Sequence, residues 1–314
     1  MSVFSIPMRQ RFRGLTVREG VLLHGPAGWG EWSPFVEYDD ATALPWLLAA
    51  REAAFAGWPE PLRTQIPVNV TVPAVDPATA HEIVRRGGCT TAKVKVAEVG
   101  QLLADDEARL EAVRDALGHS GQIRIDANAG WDVDTAINAI TRLDRSAGGL
   151  EYVEQPCPNV EDLALVRRRV SVPIAADESI RRAQDPYRVR DLEAADIAVL
   201  KVQPLGGVRA CLRIAEDIGL PAVVSSAVES SVGIAAGVAL AAALPELPYA
   251  CGLATVQLLT DDVVAEPMLP VNGMLTVARP DVLESSAPAD PQRTAWWQAR
   301  LARVEALRQD ALRD

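Results

Sequence analysis

Lysine is almost absent from this sequence, although positively charged residues are not. The chain has 314 residues and 31 lysine or arginine residues, yet only Lys93, Lys95 and Lys201 are lysine. Two of the three lie one residue apart in Thr91–Val96 (TAKVKV), a β-branched stretch typical of a buried strand. Because arginine fills every other cationic position, we infer that these three positions need a property that arginine lacks.

An excess of positive charge and a cysteine framework are also missing. The net charge of −11 and the pI of about 4.9 argue against nucleic acid and anionic membranes as partners. The cysteines are scattered and form no Cys-x-x-Cys pair, which argues against a disulfide framework or a zinc site and favours a reducing cytoplasmic location. They are Cys89, Cys157, Cys211 and Cys251.

Long hydrophobic runs are lacking as well. The longest, Val232–Leu244 (VGIAAGVALAAAL), is shorter than the roughly 20 residues needed to span a bilayer. The first residues, MSVFSIPMRQRFRG, contain no continuous apolar core, which argues against a signal peptide. We therefore expect no membrane association, and we interpret Val232–Leu244 as a buried, alanine-rich helix.

Short β-branched runs do alternate with helical patterns from about residue 65 onward. Eight such runs favour an α/β barrel of parallel strands, a TIM barrel, over a doubly wound open sheet. The open-sheet interpretation is less favoured because no glycine-rich phosphate loop follows the first run. The predicted strands are Ile66–Thr71, Ala92–Val96, Ile123–Ala127, Leu150–Gln155, Ile174–Asp177, Ile197–Val202, Ala222–Ser225 and Tyr249–Leu253.

The segments outside the barrel pattern suggest a second, smaller unit. Residues 1–64 combine apolar runs, a glycine-rich stretch and a helical pattern, which predicts the N-terminal part of a small α+β capping domain. Residues 65–255 form the predicted barrel. Residues 256–314 return to short strands and a final helix, which we expect to rejoin the cap.

The lysines and three acids are predicted to meet inside the barrel. Residues two apart on a strand share a face, so Lys93 and Lys95 point together, and two ammonium groups inside a barrel need anionic partners. Asp126, Glu154 and Asp177 each end a predicted strand, where barrel active sites assemble. Three carboxylates with no histidine or cysteine nearby favour a hard cation such as Mg²⁺.

Lys201 lies one strand beyond Asp177, so lysines flank the three acids on both sides. A buried lysine near a metal can lose its proton and act as a base, whereas arginine stays protonated. Taken singly, an acid at a strand end is more often a helix cap, and paired lysines more often lie on a solvated edge. The joint pattern favours the functional interpretation.

Together these features resemble the enolase superfamily, in its muconate-lactonizing subgroup. The resemblance covers nearly the whole chain, and the motifs that carry it lie between residues 93 and 207. They are the Lys93-Val94-Lys95 strand, IDAN at 125–128, VEQP at 153–156, ADES at 176–179 and KVQPLGG at 201–207. The resemblance implies a modified TIM barrel, (β/α)7β-like, with a capping domain whose loop Gly28–Phe35 closes over the site.

The resemblance also implies a role for each site residue. Lys95 would be the acid/base catalyst, supported by Lys93, and Lys201 would stand on the opposite face of the substrate. Mg²⁺, or another divalent cation such as Mn²⁺, would be bound by the three acids Asp126, Glu154 and Asp177. Strand alternation and the family's pattern add five candidates for substrate binding, which are Arg124, Asn128, Ser225, Ser226 and Gly252. For Arg124, an ion pair with a ligand carboxylate is equally favoured.

The implied reaction is the dehydration of a small-molecule carboxylate in menaquinone biosynthesis, as in the actinobacterial members. An N-succinylamino acid racemase or a dipeptide epimerase remains open, because one lysine per face also suits those reactions. A Schiff-base lysine aldolase would leave the three acids without a role. The lack of a strand-borne catalytic histidine argues against the mandelate-racemase subgroup. No feature of the sequence specifies an oligomeric state.

Overall fold

A curved sheet of seven parallel strands forms the centre of the computed structural model, which describes residues 1–12, 14–181, 185–283 and 286–310. The strands follow one another around the sheet in sequence order, and a helix lies in each of the connections between them. The strands are β5 (Val70–Val72), β6 (Thr91–Lys95), β7 (Gln122–Asp126), β8 (Tyr152–Glu154), β9 (Ile174–Ala176), β10 (Ile197–Leu200) and β11 (Ala222–Val224). The helices are α2 (Pro77–Gly87), α3 (Leu103–Leu117), α4 (Val133–Ser146), α5 (Val160–Arg167), α6 (Asp185–Asp191) and α7 (Val208–Ile218), with α8 (Ser231–Ala243) after β11.

The two edges of this sheet are joined by the segment around Cys251. Parallel bridges pair Cys251 with Val68 and Gly252 with Ser225, so the predicted eighth strand contributes two bridges rather than a full strand. The predicted strand Ile66–Thr71 is divided in two. Its first part, β4 (Gln65–Pro67), pairs with β12 (Met274–Thr276) in an antiparallel ribbon, and it ends at a proline that has no N–H. The modified-barrel prediction is confirmed.

The side chains of β6 alternate between the two faces of the sheet, as predicted. Ala92 and Val94 lie in the main apolar core between the strands and the surrounding helices. Lys93 and Lys95 therefore point to the inner side of the sheet. The apolar run predicted as a buried helix is α8, in which every residue from Ser231 to Ala242 is buried. No helix in the described ranges is long and apolar enough to cross a membrane.

The cap consists of β1 (Ser2–Phe12), β2 (Leu15–Gly25) and β3 (Gly28–Trp32) in an antiparallel sheet, followed by α1 (Asp40–Arg51) and a π-helical turn. The last helix, α9 (Pro291–Asp310), returns to this unit, and Trp297 packs edge-on against Trp32 at 5.6 Å. The predicted closing loop Gly28–Phe35 begins instead with strand β3. The boundaries predicted at residues 64 and 255 stay a prediction.

Candidate active site

The lysines and acids predicted from the sequence meet at the carboxyl ends of strands β6 to β10. Across the sheet, Lys95 lies opposite Asp126, which lies opposite Glu154. Asp126, Glu154 and Asp177 are 0% exposed, and the three lysines are between 5% and 8% exposed. Buried charges are stable only in pairs, so every one of these groups needs an opposite charge within reach.

Lys93 is held between two of the acids. Its Nζ lies 3.1 Å from both carboxylate oxygens of Glu154 and 3.4 Å from Oδ2 of Asp126. Burial lowers the pKa of Lys93, but the facing carboxylates outweigh that effect and raise it above its ordinary value. Burial and the neighbouring Asp126 raise the pKa of Glu154 to about 7. Lys93 is therefore a fixed cation in this arrangement.

Lys95 is paired with one carboxylate, whereas Lys93 is paired with two. Its Nζ is bonded to Oδ2 of Asp126 and lies 2.7 Å from Oδ1 of Asn128. The ring of Phe12, which comes from the cap, is 5.3 Å from the ammonium group. Burial raises the pKa of Asp126, but Lys95 and Lys93 outweigh it and lower the net value. Lys95 thus stands at the boundary between the barrel and the cap.

Asp177 is bound by two cations. Nζ of Lys201 lies 2.5 Å from its Oδ2, and Arg181, four residues further along the chain, contacts both oxygens. Burial raises the pKa of Asp177, but Arg181 and Lys201 reverse this and hold the pKa well below its usual range. Burial, assisted by the nearby Arg181, lowers the pKa of Lys201.

The donor set suits a hard divalent cation. All the candidate ligand atoms are carboxylate oxygens, which are the ligands that Mg²⁺ prefers. Glu178 adds a buried oxygen, Oε2, that has no hydrogen-bond partner among the described residues. In the same ranges no three acidic, histidine or cysteine side chains already surround one ion-sized position. Lysine and arginine side chains are paired with these carboxylates instead. A metal ion would therefore have to displace some of these cations.

Two cavities meet at this site. The smaller, about 20 Å³, is lined by all three lysines and by Phe12, Asn128, Ser225, Ser226 and Gly252, among others. The larger, about 360 Å³, shares Phe12, Lys95 and Asn128 with it and opens towards Arg11 of the cap. Phe12, which comes from the cap, therefore forms part of the wall of both cavities.

Four of the five residues predicted to bind substrate lie at these cavities. Asn128 faces Lys95, and Ser225 lies 3.5 Å from Lys93 through its Oγ. A Cβ on Gly252 would come within 2.7 Å of that same Oγ, so glycine permits the close approach. Ser226 lines the smaller cavity and is hydrogen-bonded to Thr255 at 2.7 Å. Their roles stay a prediction.

Arg124 is placed differently. It faces inward but lies one layer below Asp126, fully buried. Its ion pair is with Glu151 rather than with one of the predicted metal ligands. The guanidinium also donates to the Tyr152 hydroxyl at 3.2 Å and to the Ala250 carbonyl at 2.5 Å. These contacts connect strands at the floor of the barrel, so the geometry favours a structural role.

Several residues at the site were not predicted from the sequence. Phe12, Thr71 and Thr255 line the smaller cavity, and Arg181 pairs with Asp177. Thr71 could have been found, because it lies beside Lys93 in the strand register and so shares its inward face. Its Oγ1 is buried and has no hydrogen-bond partner among the described residues. Phe12 belongs to the cap, and no spacing within the barrel points to it.

Family models match most of the chain. Residues 77–281 match a family described as enolase C-terminal domain-like, and residues 3–54 match one described as enolase N-terminal domain-like. The chain therefore belongs to the enolase superfamily, as its motifs predicted.

Two close relatives share the same name. The chain is 66% identical over 303 residues to an o-succinylbenzoate synthase of Thermobifida fusca, covering 96% of this chain and 95% of that one. It is 55% identical over 311 residues to the o-succinylbenzoate synthase of Mycolicibacterium smegmatis, covering 98% and 95%. The L-Ala-D/L-Glu epimerase of Bacillus subtilis has a similar fold, with a TM-score of 0.78 and 22% identity over 92% and 97% of the two chains.

Proposed function

We propose that this protein is an o-succinylbenzoate synthase, a lyase that removes water from a succinyl-hydroxycyclohexadiene carboxylate to form o-succinylbenzoate in menaquinone biosynthesis. The observation that carries the proposal is the ring of buried carboxylates with Lys95 and Lys201 at its two sides. The 55% and 66% identical relatives of that name support it over almost the full length of the chain. A cytoplasmic location fits the four free, buried cysteines.

The three acids and the metal would together bind and polarise the substrate carboxylate. Asp126, Glu154 and Asp177 would hold Mg²⁺, or Mn²⁺ in its place. The bound ion would supply positive charge to the substrate carboxylate and so ease removal of the neighbouring proton. The other contribution of the protein is to exclude water, because all three acids have no solvent exposure.

Lys95 would carry out the proton transfer. In its neutral form the amine takes the proton from the carbon next to the carboxylate, and the electron pair of that C–H bond moves towards the carboxylate. The hydroxyl on the next carbon then leaves with its bonding electrons and receives a proton from the Lys95 ammonium, which gives water. The ring becomes aromatic, so this second step is favourable. Lys93 and Lys201 would stabilise the negative charge that develops between the steps.

The runner-up is racemisation or epimerisation on the same site. The observation in its favour is that Lys201 lies at Asp177, on the far side of the acids from Lys95. Racemisation needs an acid/base group on both faces of the substrate, whereas dehydration needs one. Substitution of Lys201 by arginine keeps the charge but removes the titratable amine.

The experiment measures both reactions in the wild type and in Lys201→Arg. We expect the metal-supplemented wild type to form o-succinylbenzoate, and EDTA to abolish the reaction. Lys201→Arg should retain some dehydration and lose all racemisation of an N-succinylamino acid, with deuterium incorporation from solvent measured alongside. The variant Arg190→Lys, at an exposed position in α6, controls for the exchange of one cation for another.

Two results would contradict the proposal. A wild type that racemises N-succinylamino acids and forms no o-succinylbenzoate would favour the runner-up. Trapping of the enzyme on a carbonyl substrate by borohydride, together with full activity in EDTA, would favour a Schiff-base aldolase.

A further inference from the structure

Arg181 binds Asp177 through two contacts. Its Nε donates to Oδ1 at 3.0 Å, and its Nη2 donates to Oδ2 at 2.7 Å. Lys201 adds a third contact to Oδ2. Within the described ranges, the cations at Asp126 and Glu154 are lysines only. Asp177 is therefore the one proposed metal ligand whose two oxygens are both bonded to an arginine.

Arg181 also borders a cavity and lies near other carboxylates. It follows β9 and lies 13% exposed between Asp177 and a cavity of about 1070 Å³ that separates the cap from the barrel. The cap side of that cavity includes Glu37 and Asp39. Its Nη2 also contacts Oε1 of Glu178 at 2.7 Å. An arginine that leaves Asp177 would thus find solvent and other carboxylates close by.

The site holds as many cationic as acidic side chains without a metal ion. Four carboxylates face four cations; the carboxylates are Asp126, Glu154, Asp177 and Glu178, and the cations are Lys93, Lys95, Lys201 and Arg181. A divalent ion would add two positive charges where little water screens them. The guanidinium of Arg181 is bonded to both oxygens of Asp177, where such an ion would bind, and it makes room only by moving.

We propose that Arg181 and the divalent cation compete for Asp177, so that metal binding displaces the guanidinium from this carboxylate. This rests on the metal site of the proposed function. While the ion pair is closed, both oxygens of Asp177 are hydrogen-bonded to the guanidinium, and an ion that approaches them meets its positive charge. The measured metal affinity is therefore lower than the intrinsic affinity by the fraction of molecules in which the pair is open.

The test titrates Mg²⁺ alone into metal-free protein by calorimetry, without substrate. If the pair is open in about a tenth of the molecules or fewer, Arg181→Gln should bind Mg²⁺ about tenfold more tightly than the wild type, or better. Arg188→Gln is the matched control, since Arg188 lines the same cavity and pairs with Glu161, not with Asp177. Its affinity should equal that of the wild type.

Thermal unfolding provides a second measurement. In EDTA, Arg181→Gln should unfold at a lower temperature than the wild type, because Asp177 loses a buried partner. The same addition of Mg²⁺ should then raise its unfolding temperature by more than it raises that of the wild type. Arg181→Lys, which keeps the charge but loses the two-point contact, should lie between the two and replaces Arg181→Gln if that variant does not fold.

Unchanged or weaker Mg²⁺ binding by Arg181→Gln would overturn the competition, and weaker binding would mean that Arg181 holds Asp177 in its ligand position. Asp177→Asn separates this failure from that of the metal site. If the wild type binds Mg²⁺ and Asp177→Asn does not, the site stands whatever Arg181 does. If the wild type itself binds no Mg²⁺, the metal site and the competition both fall.

Discussion

Lys93 and Lys95 share a strand face but have different surroundings. Lys93 is fixed by both oxygens of Glu154, whereas Lys95 lines both cavities and contacts Asn128 and Phe12. A base must reach the substrate and exist in neutral form for part of the time. The position of Lys95 meets the first requirement better, because its ammonium group borders the space into which a substrate must enter.

We therefore expect Lys95→Ala to lower kcat by about 10⁴-fold, the upper part of the range for a lost acid/base group. Lys95→Arg should be equally inactive, because it restores the charge but not the base. Lys93→Ala should retain measurable turnover. Steady-state kinetics on folded, metal-saturated variants checks this. If Lys95→Arg is active, Lys95 acts through its charge alone. If Lys93→Ala is inactive and Lys95→Ala is not, Lys93 is the base and Lys95 the supporting cation.

At the scale of elements, the end of strand β1 places a cap residue at the active site. The two strands run antiparallel, and their register shifts between Pro7 and Phe12, so the end of β1 departs from the regular ladder. Phe12 is 7% exposed and forms part of the wall of both cavities. The strand β3, predicted to be a closing loop, lies further along the cap and docks on α8 instead.

Truncation of Phe12 should therefore affect the reaction although the residue is outside the barrel. We expect Phe12→Ala to lower kcat/KM about tenfold or more, because removal of a wall admits water to a site that works by excluding it. Phe55→Ala is the control, since Phe55 is also in the cap but 46% exposed. Equal kcat/KM values for Phe12→Ala and the wild type would show that the end of β1 takes no part in closing the site.

At the scale of the whole molecule, a buried carboxylate joins the cap to the barrel. Glu31 of β3 accepts from the backbone N–H groups of Ser230 and Gly233 at the start of α8, at 3.1 and 3.0 Å. Arg18 and Glu229 lie nearby and are buried with it. Burial raises the pKa of Glu31 to about 7, against which Arg18 acts.

This shift predicts a loss of stability as the pH rises. A carboxyl whose pKa is raised on folding binds its proton more tightly in the native state, so its contribution is complete below about pH 4.5 and is lost as the pH passes about 7. The shift corresponds to about 3 kcal/mol in the free energy of unfolding. Glu31→Gln is neutral at every pH and should remove this part of the slope.

Urea unfolding of the wild type and of Glu31→Gln across that pH range measures the difference. Glu111→Gln, at an exposed position on α3, controls for the change of one charge. If the stability of the wild type relative to Glu31→Gln instead rises with pH, Glu31 is charged in the native state and the hydrogen bonds from α8 outweigh its burial.

Much of this protein was determined by its sequence alone, because the relevant signals are local. The two-residue spacing of Lys93 and Lys95 fixes their common face on any strand. The acids Asp126, Glu154 and Asp177 end their strands, and parallel strands bring such ends together at one rim. The alanine-rich run became a buried helix because it has no polar face to present to water. The family followed from these motifs.

Other features were decided only by the tertiary structure. Glu31 meets Ser230 across 199 positions of sequence, and Phe12 reaches Lys95 from a different unit of the chain. The pairing of Arg181 with Asp177 is local in sequence, but only the burial of both makes it a competitor for a metal. Periodicity records which way a side chain points from its own element, and it contains no information on what the neighbouring element places against it.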